Sequence, residues 1–193
     1  MNIYNIGGKK MNYWVSINEV KLLVQMNLVW EQHIMWTRML LISIAENLKD
    51  LDATQTRLLK NPKDIAKIFG RYYGNSIEER IEKLLTEHLV IEKNLIVALK
   101  NKNQTQANIL NEKWYKNADE MSELFSRINP FYPKEEVRKM FYRHLELTTD
   151  EVKNRLQGNY TKDINAYDMV QRKILNMSQF FVNGIVKQFP NLF

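Results

Sequence analysis

"LVWEQHIMWTRMLLIS", residues 28–43, contains neither glycine nor proline and is rich in large apolar side chains. Counted from His33, the residues Trp36, Leu40, Ile44 and Asn47 fall at +3, +7, +11 and +14. That is the inward stripe of an amphipathic helix, and alternation with period two is absent. Upstream, "SINE" (residues 16–19) has the spacing of a capping box. One long helix is predicted from Ser16 to about Leu48, with a histidine on its inner face.

The same three-and-four spacing runs through the rest of the chain. A short helix is expected over residues 54–60. "NPKD" (residues 61–64) restarts it, with Asn61 as cap and Pro62 where a missing N–H costs nothing, and this piece ends near Gly70. "SIEE" (residues 76–79) opens a third element reaching about Lys100, and Thr105 caps a fourth ending at Ile128. "NPFYP" (residues 129–133) breaks the chain, because residues before proline avoid helical angles. A fifth helix follows over residues 134–156, with a kink at Thr148–Thr149, and a sixth over residues 162–187. Connections this short join antiparallel neighbours. The expected fold is an all-α, up-down antiparallel bundle of five or six helices, with residues 1–15 an N-terminal appendage and residues 16–193 one domain. "EHL" (residues 87–89) aligns with "RHL" (residues 143–145), and Ala107–Asn108 with Ile164–Asn165 after a one-residue slip. The last four helices therefore read as two similar hairpins.

Composition narrows the chemistry. The 193 residues include 45% hydrophobic and 26% charged side chains, the balance of an ordinary globule. There is no cysteine, which excludes disulfides, thiolate zinc sites and a thiol nucleophile. No Gly-x-Ser-x-Gly elbow and no glycine-rich phosphate loop is present. The N-terminal sequence lacks a continuous apolar run, and nothing approaches a membrane span of about 20 apolar residues, so a cytoplasmic protein is expected. The net charge of +6 directs attention to anions. Arg57, Lys60, Lys63, Lys67 and Arg71, at steps of three or four, form a weak candidate anion-binding face or an ordinary solvated one. No nucleic-acid motif accompanies them.

The three histidines carry the sharper hypothesis. Leu84, His88, Ile91, Leu95 and Leu99 make one seam, and Val137, Phe141, His144, Thr148 and Val152 another. His33, His88 and His144 thus point inward from the first, third and fifth elements, which run parallel in an up-down bundle. Counted from the helix ends, His88 and His144 lie at nearly equal depth and His33 within about a turn. Three imidazoles in one layer could hold a transition metal ion, with Glu92 or Glu151 as added oxygen donors. Neither Glu-x-x-His nor His-Glu-x-x-His is present. Arg38, Asn117 and Asp168 are further candidates for an interior polar pocket. Asn117 shares a face with Trp114, Met121 and Phe125, and Asp168 one with Ile164, Gln171 and Leu175. Trp30, Trp36, Trp114, Phe125, Phe181, Met39 and Met177 read as core packing rather than a cofactor box.

The segments "LVWEQHIMWTRMLLIS", "RLLKNPKDIA", "YYG", "LLTEHL", "KWYKNADE", "INPFY", "HLELTTDEV" and "GIVKQFP" occur in that order. Together they resemble an uncharacterised family of short bacterial helical-bundle proteins, often labelled acetylglutamate kinase. The likeness spans about residues 28–190 and supplies no catalytic residues to carry over. An amino-acid kinase would need strands and a glycine-rich phosphate site, and this sequence has neither. Two functions stay open. One is a helical protein acting through its surface, alone or as a homo-oligomer, with the histidines completing its core. The other is a bundle binding a metal or small ligand, with a metal-dependent enzyme as a branch of it.

Overall fold

The computed structural model describes residues 15–193, and these form an all-α bundle. The expected appendage at residues 1–15 lies outside the described residues except for Val15. Five long helices, α1 (Ile17–Glu46), α4 (Asn75–Lys100), α5 (Gln104–Ile128), α6 (Lys134–Leu156) and α7 (Tyr160–Gln188), are joined by two short ones, α2 (Leu51–Leu58) and α3 (Asn61–Tyr73). A 3-10 turn at Pro190–Leu192 ends the chain.

The helices close a six-membered ring in which directions alternate. α1, α4 and α6 run one way, and each sits between two returning arms: α1 between α3 and α7, α4 between α3 and α5, α6 between α5 and α7. The broken pair α2–α3 occupies the place of one arm. Local signals explain the boundaries. Ser16 accepts the Glu19 N–H at 3.0 Å and starts α1. Asn103, not the expected Thr105, caps α5 by accepting from Gln106 N. α6 continues through Thr148–Thr149 as one helix, so the expected kink does not divide it.

Three helix ends share one device. Asn47, Lys102 and Gly158 adopt left-handed angles, with φ of 55°, 56° and 73°. Each donates its N–H to the carbonyl three residues back, and the next residue donates to the carbonyl five back. This Schellman geometry reverses the chain while satisfying the last carbonyls. His33, His88 and His144 each lie 14 residues before the left-handed residue.

That shared count reveals a threefold internal repeat, one unit more than the two hairpins expected. Each unit is a long helix and its returning arm, displaced by 55 or 56 residues. The histidines correspond, and so do Asn61, Asn117 and Lys173, spaced by 56. So do Phe69, Phe125 and Phe181, also spaced by 56 and fully buried. These rings meet with centroids 5.1, 5.5 and 4.6 Å apart in the main apolar cluster. No slip is needed: Ala107 corresponds to Asp163 rather than to Ile164. A smaller cluster containing Leu40, Ile44, Ile96 and Val152 fills the other end. The histidine layer lies between the two.

Candidate metal centre

Parallel helices of equal length downstream of each histidine put the three rings at one depth. The ring centroids of His33, His88 and His144 are 6.2, 5.9 and 6.2 Å apart. One ring nitrogen from each lies within 4.8 Å of the other two, and all three residues are buried. Nitrogens on a shared tetrahedral zinc would stand about 3.3 Å apart, so side-chain rotation must draw them in.

Two of the rings are oriented by the same construction. His33 Nδ1 lies 3.1 Å from Asn61 Oδ1, and Asn61 donates its amide N–H to the Val29 carbonyl at 2.8 Å. His88 Nδ1 lies 3.1 Å from Asn117 Oδ1, and Asn117 donates to the Leu84 carbonyl at 3.1 Å. Each asparagine spends its N–H on a carbonyl four residues before its histidine. Its oxygen must therefore accept, so the histidine carries its proton on Nδ1 and keeps the lone pair on Nε2. Metal-bound imidazoles have this outer support. In the third unit Lys173 replaces the asparagine, and neither nitrogen of His144 has a hydrogen-bond partner among the described residues. His88 Nε2 differs again, since it accepts Trp114 Nε1–H at 3.2 Å.

Burial holds all three rings neutral. It lowers His33 to about 4 against the opposing bond to Asn61. Burial, with His33 nearby, lowers His88 to about 3. Burial, then His33, His88 and Lys173, carries His144 well below the usual histidine range. The lone pairs that a metal requires are present at neutral pH.

One turn further along each helix stands a second polar layer: Thr37, Glu92 and Thr148, each four residues after its histidine. All are buried, and among the described residues Thr37 Oγ1, Glu92 Oε1 and Thr148 Oγ1 have no partner. Burial and the neighbouring Glu151 push Glu92 up to about 8, so its carboxyl is protonated at neutral pH. A cavity of about 10 Å³, room for one water, borders Glu92, Trp114 and Val152.

Beyond this layer lies an ion-pair network. Arg38 Nη1 donates to Glu151 at 2.6 Å and to Asp163 at 2.8 Å, and Arg38 Nη2 to Asp163 at 3.2 Å. Arg155 pairs with Glu46 at 2.9 Å and lies 3.6 Å from Asp163. Burial raises Glu151 to about 7 despite Arg38. Arg38 and Glu151 thus engage each other.

No family model, curated protein or solved structure matches this chain. The site is therefore read from its own atoms.

The histidine trio converges as the helix count anticipated, and Asn117 joins it. Neither Glu92 nor Glu151 belongs to the three-residue cluster. Asp168 is a correction, because it is exposed, as is its neighbour on that face, Ile164. The inner face of α7 runs through Asp163, Ala166, Val170 and Ile174, which makes Asp163 the buried carboxylate. Asn61 is a second correction: it is wholly buried and bonds His33 instead of capping α3. Met39 is exposed rather than packed in the core. The basic stripe is split by the α2–α3 junction. Lys60, Lys63, Lys67 and Arg71 are exposed, while Arg57 lies over the Trp36 ring at 5.0 Å.

Proposed function

We propose that this protein binds a divalent transition metal through His33, His88 and His144. The observation that carries the reading is His144, a buried imidazole with both nitrogens unpartnered, facing two neutral histidines whose outer nitrogens are already held. An orphaned buried polar group costs about 1–3 kcal/mol, and a coordinated ion would use its lone pair. Three imidazoles suit zinc, copper, nickel or iron better than magnesium or calcium. Glu92, one turn away, is the group placed to ionise and offset the added positive charge.

A second reading follows from Trp114. Its N–H occupies the His88 lone pair, so the histidines can also serve as core hydrogen-bonding groups in a protein that acts through its surface. Metal loading separates the two. Untagged protein should carry one transition-metal ion per chain, or take one up from added Zn²⁺ or Co²⁺. Bound Co²⁺ should give a visible absorption band, and zinc should raise the melting temperature. Both responses should vanish in His144→Gln. Absence of stoichiometric metal, together with no response to Zn²⁺, Co²⁺, Ni²⁺ or Cu²⁺, overturns the metal reading.

A further inference from the structure

α1 carries apolar side chains on its outer face as well as on its inner ones. Its inner faces pack against α2, α3 and α7, yet Ile17, Val24, Leu28, Met35 and Met39 line its outer face. Val24 is 61% exposed and Leu28 57%. From Ile17 to Met39 the stripe is about 33 Å long. Polar side chains flank it on both sides: Gln25 and Gln32 accept from Arg71 and Arg57, while Asn27 and Glu31 accept from Ser178 and Gln171 of α7.

The internal repeat provides a control for this face. Positions corresponding to Val24, Leu28, Met35 and Met39 are Glu79, Lys83, Val90 and Asn94 on α4, and Glu135, Lys139, Glu146 and Asp150 on α6. All eight are exposed. Seven of them are charged or polar, as solvated positions ordinarily are. The fold therefore does not require apolar residues there, and a contiguous exposed apolar stripe marks an interaction site.

We infer that α1 pairs antiparallel with α1 of a second copy of this chain, about a twofold axis that crosses the outer face between Val24 and Leu28, at the level of residue 26. The spacing is self-complementary. Reversal about position 26 sets Ile17 against Met35, Val24 against Leu28, and Lys21 against Glu31, in both directions at once. Lys21 lies on the stripe and is exposed, and Glu31 is half-buried at its edge. An isologous interface needs this reciprocity, with residue i meeting j and j meeting i. The two charges on the stripe are opposite and exchange places under the rotation, so the paired surface carries two cross-chain ion pairs. This inference is independent of the metal reading.

Sedimentation of the full chain over a concentration series tests it. Wild type should be a reversible dimer. Leu28→Glu should be monomeric with unchanged helical circular dichroism and melting temperature, since Leu28 touches no core. Lys21→Glu alone and Glu31→Lys alone should each weaken dimerisation about tenfold, because two attractive pairs become repulsive. The double variant Lys21→Glu/Glu31→Lys should restore it. A wild type that stays monomeric to millimolar concentration overturns the inference and assigns the stripe to a different partner. Dimerisation that survives Leu28→Glu, or single swaps that the double swap does not rescue, also overturns it.

Discussion

Asn61 accepts the Nδ1 proton of His33 at 3.1 Å, although 28 residues and a complete chain reversal separate them. Because Asn61 also donates to Val29, the contact ties α3 to α1 at two points. Asn61→Ala would leave the buried His33 Nδ1–H without a partner and remove the second bond to the Val29 carbonyl, which keeps its bond within α1. It should cost about 1–3 kcal/mol in urea unfolding, and Asn117→Ala should cost a similar amount in the second unit.

Lys173 stands where the other two units have asparagine. Lys173→Asn should give His144 the amide partner it lacks. The metal-free variant should gain about 1 kcal/mol of stability. Nitrogen NMR of the His144 ring should then show a single tautomer protonated at Nδ1, like that of His33. An unchanged ring spectrum would count against the structural equivalence of these positions.

The interior groups give stability opposing pH slopes. His33 titrates near 4 and His88 near 3 when folded, below the unfolded value of 6.5. Between those values and 6.5 the unfolded chain binds protons that the folded chain refuses, so stability falls as pH drops through that window. Glu92 behaves oppositely, rising from 4.5 to about 8 on folding. Its contribution is complete below 4.5 and is lost as pH rises through about 8. In melting curves taken with chelator present, Glu92→Gln should remove the loss that runs from 4.5 to about 8, so that stability falls more steeply on acidification from 6.5 to 4.5 while the slope below 4.5 is unchanged.

Lys102 holds a left-handed angle that glycine adopts freely and lysine does not. The equivalent residue in the third unit is Gly158, at φ 73°. Lys102→Gly should therefore raise unfolding stability by about 1 kcal/mol, with the α4–α5 turn unaltered.

Helical periodicity was a strong enough signal to specify an all-α bundle, and counting back from helix ends placed the histidines correctly in depth. Sequence and structure part where one residue type serves two purposes. Asn61 precedes a proline, as a cap does, and only the folded chain shows that its side chain turns inward to His33. Asp163 and Asp168 differ by five residues, about a turn and a half, so a small error in the assumed face of α7 exchanged an exposed carboxylate for a buried one. Met39 reads as core because apolar residues recur on both the inner and outer faces of α1, and sequence alone does not say which face has no neighbour among the described residues. The first unit is not legible as a repeat because its returning arm is broken by the α2–α3 junction, which hides the correspondence of Phe69 with Phe125 and Phe181. Partners distant in sequence, such as Arg38 with Glu151 and Asp163, have no local spacing to betray them.

The span of 14 residues from each histidine to its chain reversal makes parts of this polypeptide intolerant of length change. Deleting one residue between His88 and Lys102 would swing the imidazole about 100° around its rod, out of reach of the other two. Adding a residue in the connection at 129–133 would leave all three depths unaltered. A scan of single-residue insertions and deletions should thus trace three zones, one per unit, in which a length change breaks the histidine layer, separated by joints on which that layer does not depend.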